Sequence, residues 1–88
     1  MTNDDIQVAE SAINSGDIEL AKSLLPEMVE GQKFFVESLI SISESNINSA
    51  LNSIEQCINT VRSPKSRDAI LEARAKMIRG LALSLIHI

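Results

Sequence analysis

Aromatic residues are scarce in this chain: Phe34 and Phe35 are the only two, and Trp and Tyr do not occur. Glycine occurs three times and proline twice in 88 residues. Compact β-sandwiches and barrels usually rely on aromatic and β-branched strands with turn residues at short intervals. Because Ala, Leu, Ile, Ser and Glu dominate instead, we expect a single all-α unit.

Cysteine and histidine each occur once, which argues against metal sites built from several cysteines and against nucleophilic sites that need a histidine base. Cys57 has no disulfide partner and cannot build a Cys-rich metal site, so we expect a small buried apolar side chain. His87 has no neighbour in sequence to complete a nucleophilic site. The three glycines are isolated and form no phosphate-binding loop. We therefore assign no catalytic, cofactor-binding or metal-binding residue and expect a protein that is not an enzyme.

Two acidic pairs, Asp4/Asp5 and Glu27/Glu30, are the remaining candidates for acid–base chemistry or for metal binding. Both pairs lie at predicted helix ends, where carboxylates interact favourably with backbone N–H groups and the helix dipole. Capping and solvation explain them, and a hard-metal site needs more carboxylates than either pair supplies.

The chain also lacks a long apolar run and a basic start. No segment approaches the roughly 20 apolar residues that a membrane-spanning helix needs. Residues 1–5 are acidic and polar, the opposite of a signal peptide. These features predict a cytoplasmic location and no membrane partner.

The net charge of −4 hides an asymmetry along the chain. Residues 1–61 hold ten acidic and two basic residues, or −8, whereas residues 62–88 hold six basic and two acidic residues, or +4. An acidic body argues against a nucleic-acid footprint. The basic part could contact nucleic acid or anionic lipid, but Asp68 and Glu72 interrupt it and no aromatics accompany it. We favour a solvated helix face and expect no nucleic-acid partner.

Apolar residues recur at intervals of three and four, the spacing of helices that bury one face. Thr2 or Asn3 is expected to cap the first helix, Asp17 the second and Asn46 the fourth. Pro26 interrupts the second, which either bends there or ends just before it in a new turn. Five helices are predicted, at about residues 3–15, 17–30, 32–44, 46–62 and 64–83.

The last two helices have the clearest internal signals. Ser63 is expected to cap the last helix, with Pro64 in the first helical position. Glu72 precedes Lys76 by four residues and should pair with it. The predicted apolar faces are Ile6, Ala9 and Ile13 with Val8 and Ala12; Ile18, Ala21, Leu24, Leu25 and Met28; Phe34, Phe35, Leu39, Ile40 and Ile42; Ile47, Ala50, Leu51, Ile54, Ile58 and Val61; and Ala69, Ile70, Ala73, Met77, Ile78, Leu81 and Ala82.

Shifting the sequence by a constant number of positions aligns similar residues of the chain with each other. It places Asp17 on Asn46, Ile18 on Ile47, Ala21 on Ala50, Leu25 on Ile54 and Met28 on Cys57. Small residues at Ala21 and Ala50 allow two helices to approach closely, and the larger residues fill the space between units. The alignment indicates a repeated pair of antiparallel helices.

Gly16 to Ala21, and more weakly Ser45 to Ala50, resemble the Gly-Asp-Tyr-x-x-Ala turn of the tetratricopeptide repeat. The segment from Met77 to Leu83 resembles the stretch before that turn. The resemblance implies a TPR-like α-solenoid fragment over residues 1–82 that binds protein or peptide partners. The period, from position 17 to position 46, is shorter than the usual one of about 34, and no groove residue of the family can be carried over. The alternative is a plain antiparallel helix bundle.

The last six residues, 83–88, resemble the translated transposon mosaic end of sequencing-library adapters. This resemblance implies that residues 83–88 are a non-native tail. The native part of this sequence would then end near Ala82, and the native protein would be longer.

The expected function is a non-catalytic protein–protein interaction scaffold, the N-terminal helical-repeat fragment of a longer protein. The last helix is expected to leave Ile70, Met77, Ile78 and Leu81 partly exposed, for a further repeat or for self-association. The alternatives are a self-contained helical bundle serving as an oligomerisation or regulatory domain, or the sensor arm of a larger enzyme or transcription regulator.

Overall fold

The computed structural model describes residues 2–63 and 68–86, with side chains for residues 6–63 and 68–85. The described residues form helices and connecting turns without a β-strand, which confirms the all-α class. The elements are α1 (Thr2–Asn14), α2 (Ile18–Leu24), a 3₁₀ turn (Leu25–Glu27), α3 (Glu30–Ser43), α4 (Ile47–Val61) and α5 (Ala69–Ile86).

The helices pack mostly against their neighbours in the chain. Helix α3 lies at the centre and contacts each of the other four, and α4 lies between α3 and α5. Helix α1 packs on α2 and α3. Over the described residues, no Cα atom of α1 comes within 8 Å of one in α5. The outer helices α1 and α5 therefore flank α3 without touching through their backbones.

The turn between α1 and α2 has the predicted chemistry. Gly16 adopts φ 84°, in the left-handed region that glycine enters without steric cost. The Asp17 amide donates to the Ala12 carbonyl at 2.7 Å, which closes the end of α1 in a Schellman pattern. The Asp17 carboxylate then accepts from the Leu20 amide at 3.2 Å. Asp17 is therefore the N-cap of α2, as predicted.

The turn between α3 and α4 repeats this pattern at the equivalent positions. Ser45 takes the glycine position with φ 62°, although it carries a side chain. The Asn46 amide donates to the Ser41 carbonyl at 2.8 Å, and the Asn46 side chain accepts from the Ser49 amide at 3.4 Å. Asn46 is the predicted N-cap of α4. The shift seen in the sequence thus reappears as the same hydrogen bonds at both turns.

Pro26 divides the segment after the first turn. Helix α2 ends at Leu24, and Pro26 lies in the 3₁₀ turn, because a prolyl nitrogen has no hydrogen to donate within an α-helix. The chain is extended at Met28 and Val29 before α3 begins at Glu30. Of the two predicted outcomes, interruption is correct, and α3 starts two residues earlier than expected.

The core lies between the facing sides of the five helices. Most predicted inner residues belong to it, but Val8 is exposed and the buried side of α3 extends to Gly31, Gln32, Val36 and Ser38. A methyl group at Gly31 would lie 2.8 Å from Cγ1 of Val61, so α3 and α4 approach closely there. The buried apolar residues are Ile6, Ala9, Ala12, Ala21, Met28, Phe35, Val36, Ile40, Ala50, Ile54, Cys57, Ile58, Val61, Leu71, Ala75 and Ala82.

Only two members of the apolar face predicted for the last helix, Ile78 and Ala82, pack inward. Helix α5 buries Leu71, Ala75 and Ala82, and packs Ile78 partly against the core. The predicted set was shifted by about one residue, which rotates a helix by about 100°. The other members of the predicted face, Ala69, Ile70, Ala73, Met77 and Leu81, are exposed.

Two predicted helix starts also differ. Helix α1 already includes Thr2 and Asn3, so neither residue precedes it as a cap. At α5, the Asp68 carboxylate accepts from the Leu71 amide at 3.0 Å and occupies the capping position. The start predicted at Pro64 lies outside the described residues. Helix α5 includes residues 83–86. A helix there does not test whether these residues are native, so the non-native tail stays a prediction.

Candidate functional site

A side-chain bridge crosses the central helix and joins the two outer ones. Glu10 of α1 and Arg74 of α5 form an ion pair, and both side chains are about two-thirds buried. The Arg74 guanidinium also lies over the ring of Phe35 on α3, with its central carbon 5.0 Å from the ring centroid. This cation–π contact fixes Arg74 against the buried Phe35 ring. Glu10 also lines one surface depression, and Arg74 lines another.

The larger depression lies between the C-terminal halves of α1 and α3 and measures about 400 Å³. We call it the C-terminal groove. Its apolar part consists of Ile13, Leu39 and Ile42, which are all only partly buried. Polar groups form its edge: Glu10, Asn14 and Ser43. Apolar side chains surrounded by a few polar groups are typical of surfaces that bind another molecule.

The smaller depression lies between the beginnings of α1 and α5 and measures about 280 Å³. We call it the N-terminal depression. Helix α1 contributes Ile6 and Gln7, and the start of α5 contributes Asp68, Ile70, Leu71 and Arg74. Ile70, which lines this depression, is also exposed on the outer side of α5.

That exposed side carries large apolar side chains. Ile70 is 77% exposed, Met77 is 74% exposed and Leu81 is 49% exposed, and we call these three residues the α5 stripe. The sequence predicted partial exposure for these three and for Ile78, which is partly buried against the core. Burying this much aliphatic surface would favour association with another element.

Ion pairs with carboxylates involve the basic side chains that the structure describes after residue 61. The Arg79 guanidinium lies 3.1 Å from the Glu55 carboxylate on α4. Arg62 and Lys76 both contact Glu72, at 2.9 and 3.1 Å, and the second contact is the predicted one. Hydrogen bonds from Arg62 and then Lys76 lower the pKa of the Glu72 carboxyl. The basic side chains described after residue 61 thus all contact carboxylates of the same chain.

Cys57 is fully buried, as predicted for this repeat position. Burial, and secondarily the negative charge of Asp68, raises the pKa of its thiol to about 11. A thiol in that state is protonated and unreactive at neutral pH. Cys57 therefore contributes to the packing of the core.

Two further properties concern the described residues only. Within them, no three His, Cys, Asp or Glu side chains lie close enough together to hold a metal ion. None of the helices in residues 2–63 and 68–86 combines the length and the apolar character needed to cross a membrane.

Comparison of the chain with protein-family models, with curated proteins and with solved structures finds no match. The C-terminal groove, the N-terminal depression and the bridge of Glu10 and Arg74 were not predicted from the sequence. Glu10 and Arg74 are 64 residues apart, and nothing in the local pattern around either one indicates the other. An acidic residue on the first helix and a basic one on the last were the only available signal.

Proposed function

We propose that this chain is a non-catalytic scaffold that holds a helix or peptide of another protein in the C-terminal groove. The observation that carries the proposal is the partly exposed apolar surface of Ile13, Leu39 and Ile42 between two helices, with polar groups at its edge. An amphipathic segment can bury aliphatic side chains there and keep its polar side in water.

The proposed architecture behind this function is a TPR-like solenoid. The matching turns support it, because the same hydrogen bonds recur at the offset that aligns Asp17 with Asn46. The order of helix contacts also supports it, since each helix lies mainly against its neighbours in the chain. In such an array α1, α3 and α5 would share one side, which is the side that carries the groove. The cytoplasmic location stays a prediction from the sequence.

A binding selection with a matched pair of variants tests the groove. A displayed library of helical and extended peptides is selected on the wild-type chain, and the enriched peptides are measured by calorimetry against Ile42→Glu and Val29→Glu. Ile42 lines the groove, whereas Val29 is 56% exposed and lies outside it.

A charge in the groove should weaken binding at least about tenfold, or about 1.4 kcal/mol, while Val29→Glu should bind like the wild type. Circular dichroism confirms that each variant is folded. If no peptide is enriched, or if both variants bind equally well, the groove is not the binding surface.

A self-contained helical bundle is the second candidate, and the Glu10–Arg74 ion pair is the observation that favours it. A closed bundle brings its first and last helices together, and this pair is a direct contact between α1 and α5. In the longer-protein hypothesis, another repeat follows instead. Adapter-free sequencing of the source DNA past the Ala82 codon separates the two: a further Gly-Asp-x-x-x-Ala turn supports the array, and a stop codon after Ile88 supports the bundle.

A further inference from the structure

Exposed apolar surface is concentrated on the last helix. Of the eight large apolar side chains that are exposed among the described residues, five belong to α5. Ile70, Arg74, Met77 and Leu81 follow one another at intervals of four, three and four. Side chains at this alternating spacing form the contact line between two paired helices. Helix α5 thus carries the pattern of a second helix contact in addition to the one it makes with α4.

The N-terminal depression lies beside one end of this line, and Leu81 lies at the other end. If two copies of α5 pair in antiparallel orientation, Ile70 of one copy faces Leu81 of the second copy, and Arg74 faces Met77. The twofold symmetry makes both ends equivalent. Each copy then supplies one protruding side chain and one depression to receive it.

We propose that the α5 stripe is a self-association surface, on which two copies of this chain pair α5 antiparallel and each Leu81 enters the N-terminal depression of the other copy. This inference extends the interaction role proposed above to a different surface. The C-terminal groove and the α5 stripe share no residue, so either proposal can fail without the other.

The depression has room for an aliphatic side chain and an apolar part for it to contact. Ile6, Ile70 and Leu71 form that apolar part, Gln7, Asp68 and Arg74 form the polar remainder, and about 280 Å³ of space accommodates a leucine side chain. Arg74 needs no new partner, because Glu10 and the Phe35 ring already hold its guanidinium. Its methylene groups remain available to pack against Met77 of the second copy, whose flexible thioether adapts to an irregular surface.

The size of the surface sets the expected strength. Three large side chains and their surroundings cover a few hundred Å² per copy, below the roughly 800 Å² per partner of a stable interface. We therefore expect a weak dimer, with a Kd of about 10 to 100 µM. Each copy carries a net charge of −4, so added salt should strengthen the dimer by screening repulsion between the copies.

Sedimentation velocity over about 10 µM to 1 mM tests the association. The wild-type chain should shift from monomer to dimer, and more so in high salt. Met77→Glu should remain monomeric over that range, whereas Val29→Glu, which also replaces an exposed apolar residue, should dimerise like the wild type. Both sites are exposed, so both variants should fold. A wild-type chain that is monomeric throughout overturns the proposal, as does equal dimerisation of Met77→Glu.

Cross-linking tests the antiparallel register. Ile70→Cys and Leu81→Cys are prepared separately and mixed with a short thiol-reactive linker at neutral pH, where the buried Cys57 thiol reacts slowly. The mixture should give cross-links between the two variants, and each variant alone should give few. Cross-links that form mainly within the Ile70→Cys sample, or equally in all samples, overturn the register.

Discussion

The first helical pair, α1 and α2, and the second, α3 and α4, are each joined by the same type of turn but differ in the helix that follows it. Both turns have a left-handed residue, the same backbone hydrogen bonds and a capping side chain. After the turn, α4 continues for 15 residues and buries five of them, whereas α2 lasts seven residues and buries only Ala21. Pro26 accounts for the difference, since it ends α2 one turn after Ala21. The comparison shows that turn chemistry is repeated while the strength of packing is not.

The largest effect is expected at a pair of equivalent positions that differ in burial. Ile54 is fully buried, and Leu25, its equivalent in the first pair, is partly buried. Ile54→Ala should lower the free energy of unfolding by about 3 kcal/mol, because it leaves a cavity, whereas Leu25→Ala should cost about 1 kcal/mol. Urea unfolding followed by circular dichroism measures both. Equal losses would mean that the two pairs are packed equally tightly.

A second comparison concerns the close approach of α3 to α4. Gly31→Ala places a methyl group 2.8 Å from the Val61 side chain, which is branched and has little freedom to move. We expect a loss of about 1 to 3 kcal/mol. Gly80→Ala is the control, since a methyl group there meets nothing within 4 Å, and it should stabilise α5 by about 0.5 to 1 kcal/mol. If both substitutions stabilise the protein, the two helices can separate without cost.

The two turns give a reciprocal pair with smaller effects. Ser45 is left-handed at φ 62° and Gly16 at φ 84°. Ser45→Gly should raise the free energy of unfolding by about 0.5 to 1 kcal/mol, and with it the thermal midpoint. Gly16→Ser should lower the free energy of unfolding by about 1 kcal/mol. Calorimetry of the two variants measures both changes. Changes of the same sign in both would show that the turns are not equivalent.

Cys57, unlike its repeat equivalent Met28, carries a group that ionises in alkali. The folded state holds the Cys57 pKa at about 11, above the ordinary value of 9.0, because the thiolate would be buried. Below pH 9 the thiol is protonated in both states and has no effect. Between pH 9 and 11 the unfolded chain loses this proton first, so stability should fall as pH rises. Urea midpoints across this range should fall less for Cys57→Ala; an identical slope would place the loss elsewhere.

Local patterns predicted the parts of the fold that depend on neighbours in sequence. Asp17 and Asn46 are predictable as caps because a short polar side chain just before an apolar helix favours hydrogen bonds to the first free backbone amides. The buried face of α5 was not predicted, because Ile70, Leu71 and Ala73 are all apolar and only the position of α4 decides which of them is buried. The bridge between Glu10 and Arg74 depends on three separate helices, so no single segment contains the information.

The bridge also has a consequence for the order of folding. Its two residues are 64 positions apart, whereas each helical pair closes through a turn of a few residues. Short loops close faster and at lower entropic cost than long ones. The two turns should therefore form before the rate-limiting barrier and the Glu10–Arg74 contact after it, so that losing Arg74 accelerates unfolding while refolding keeps its speed.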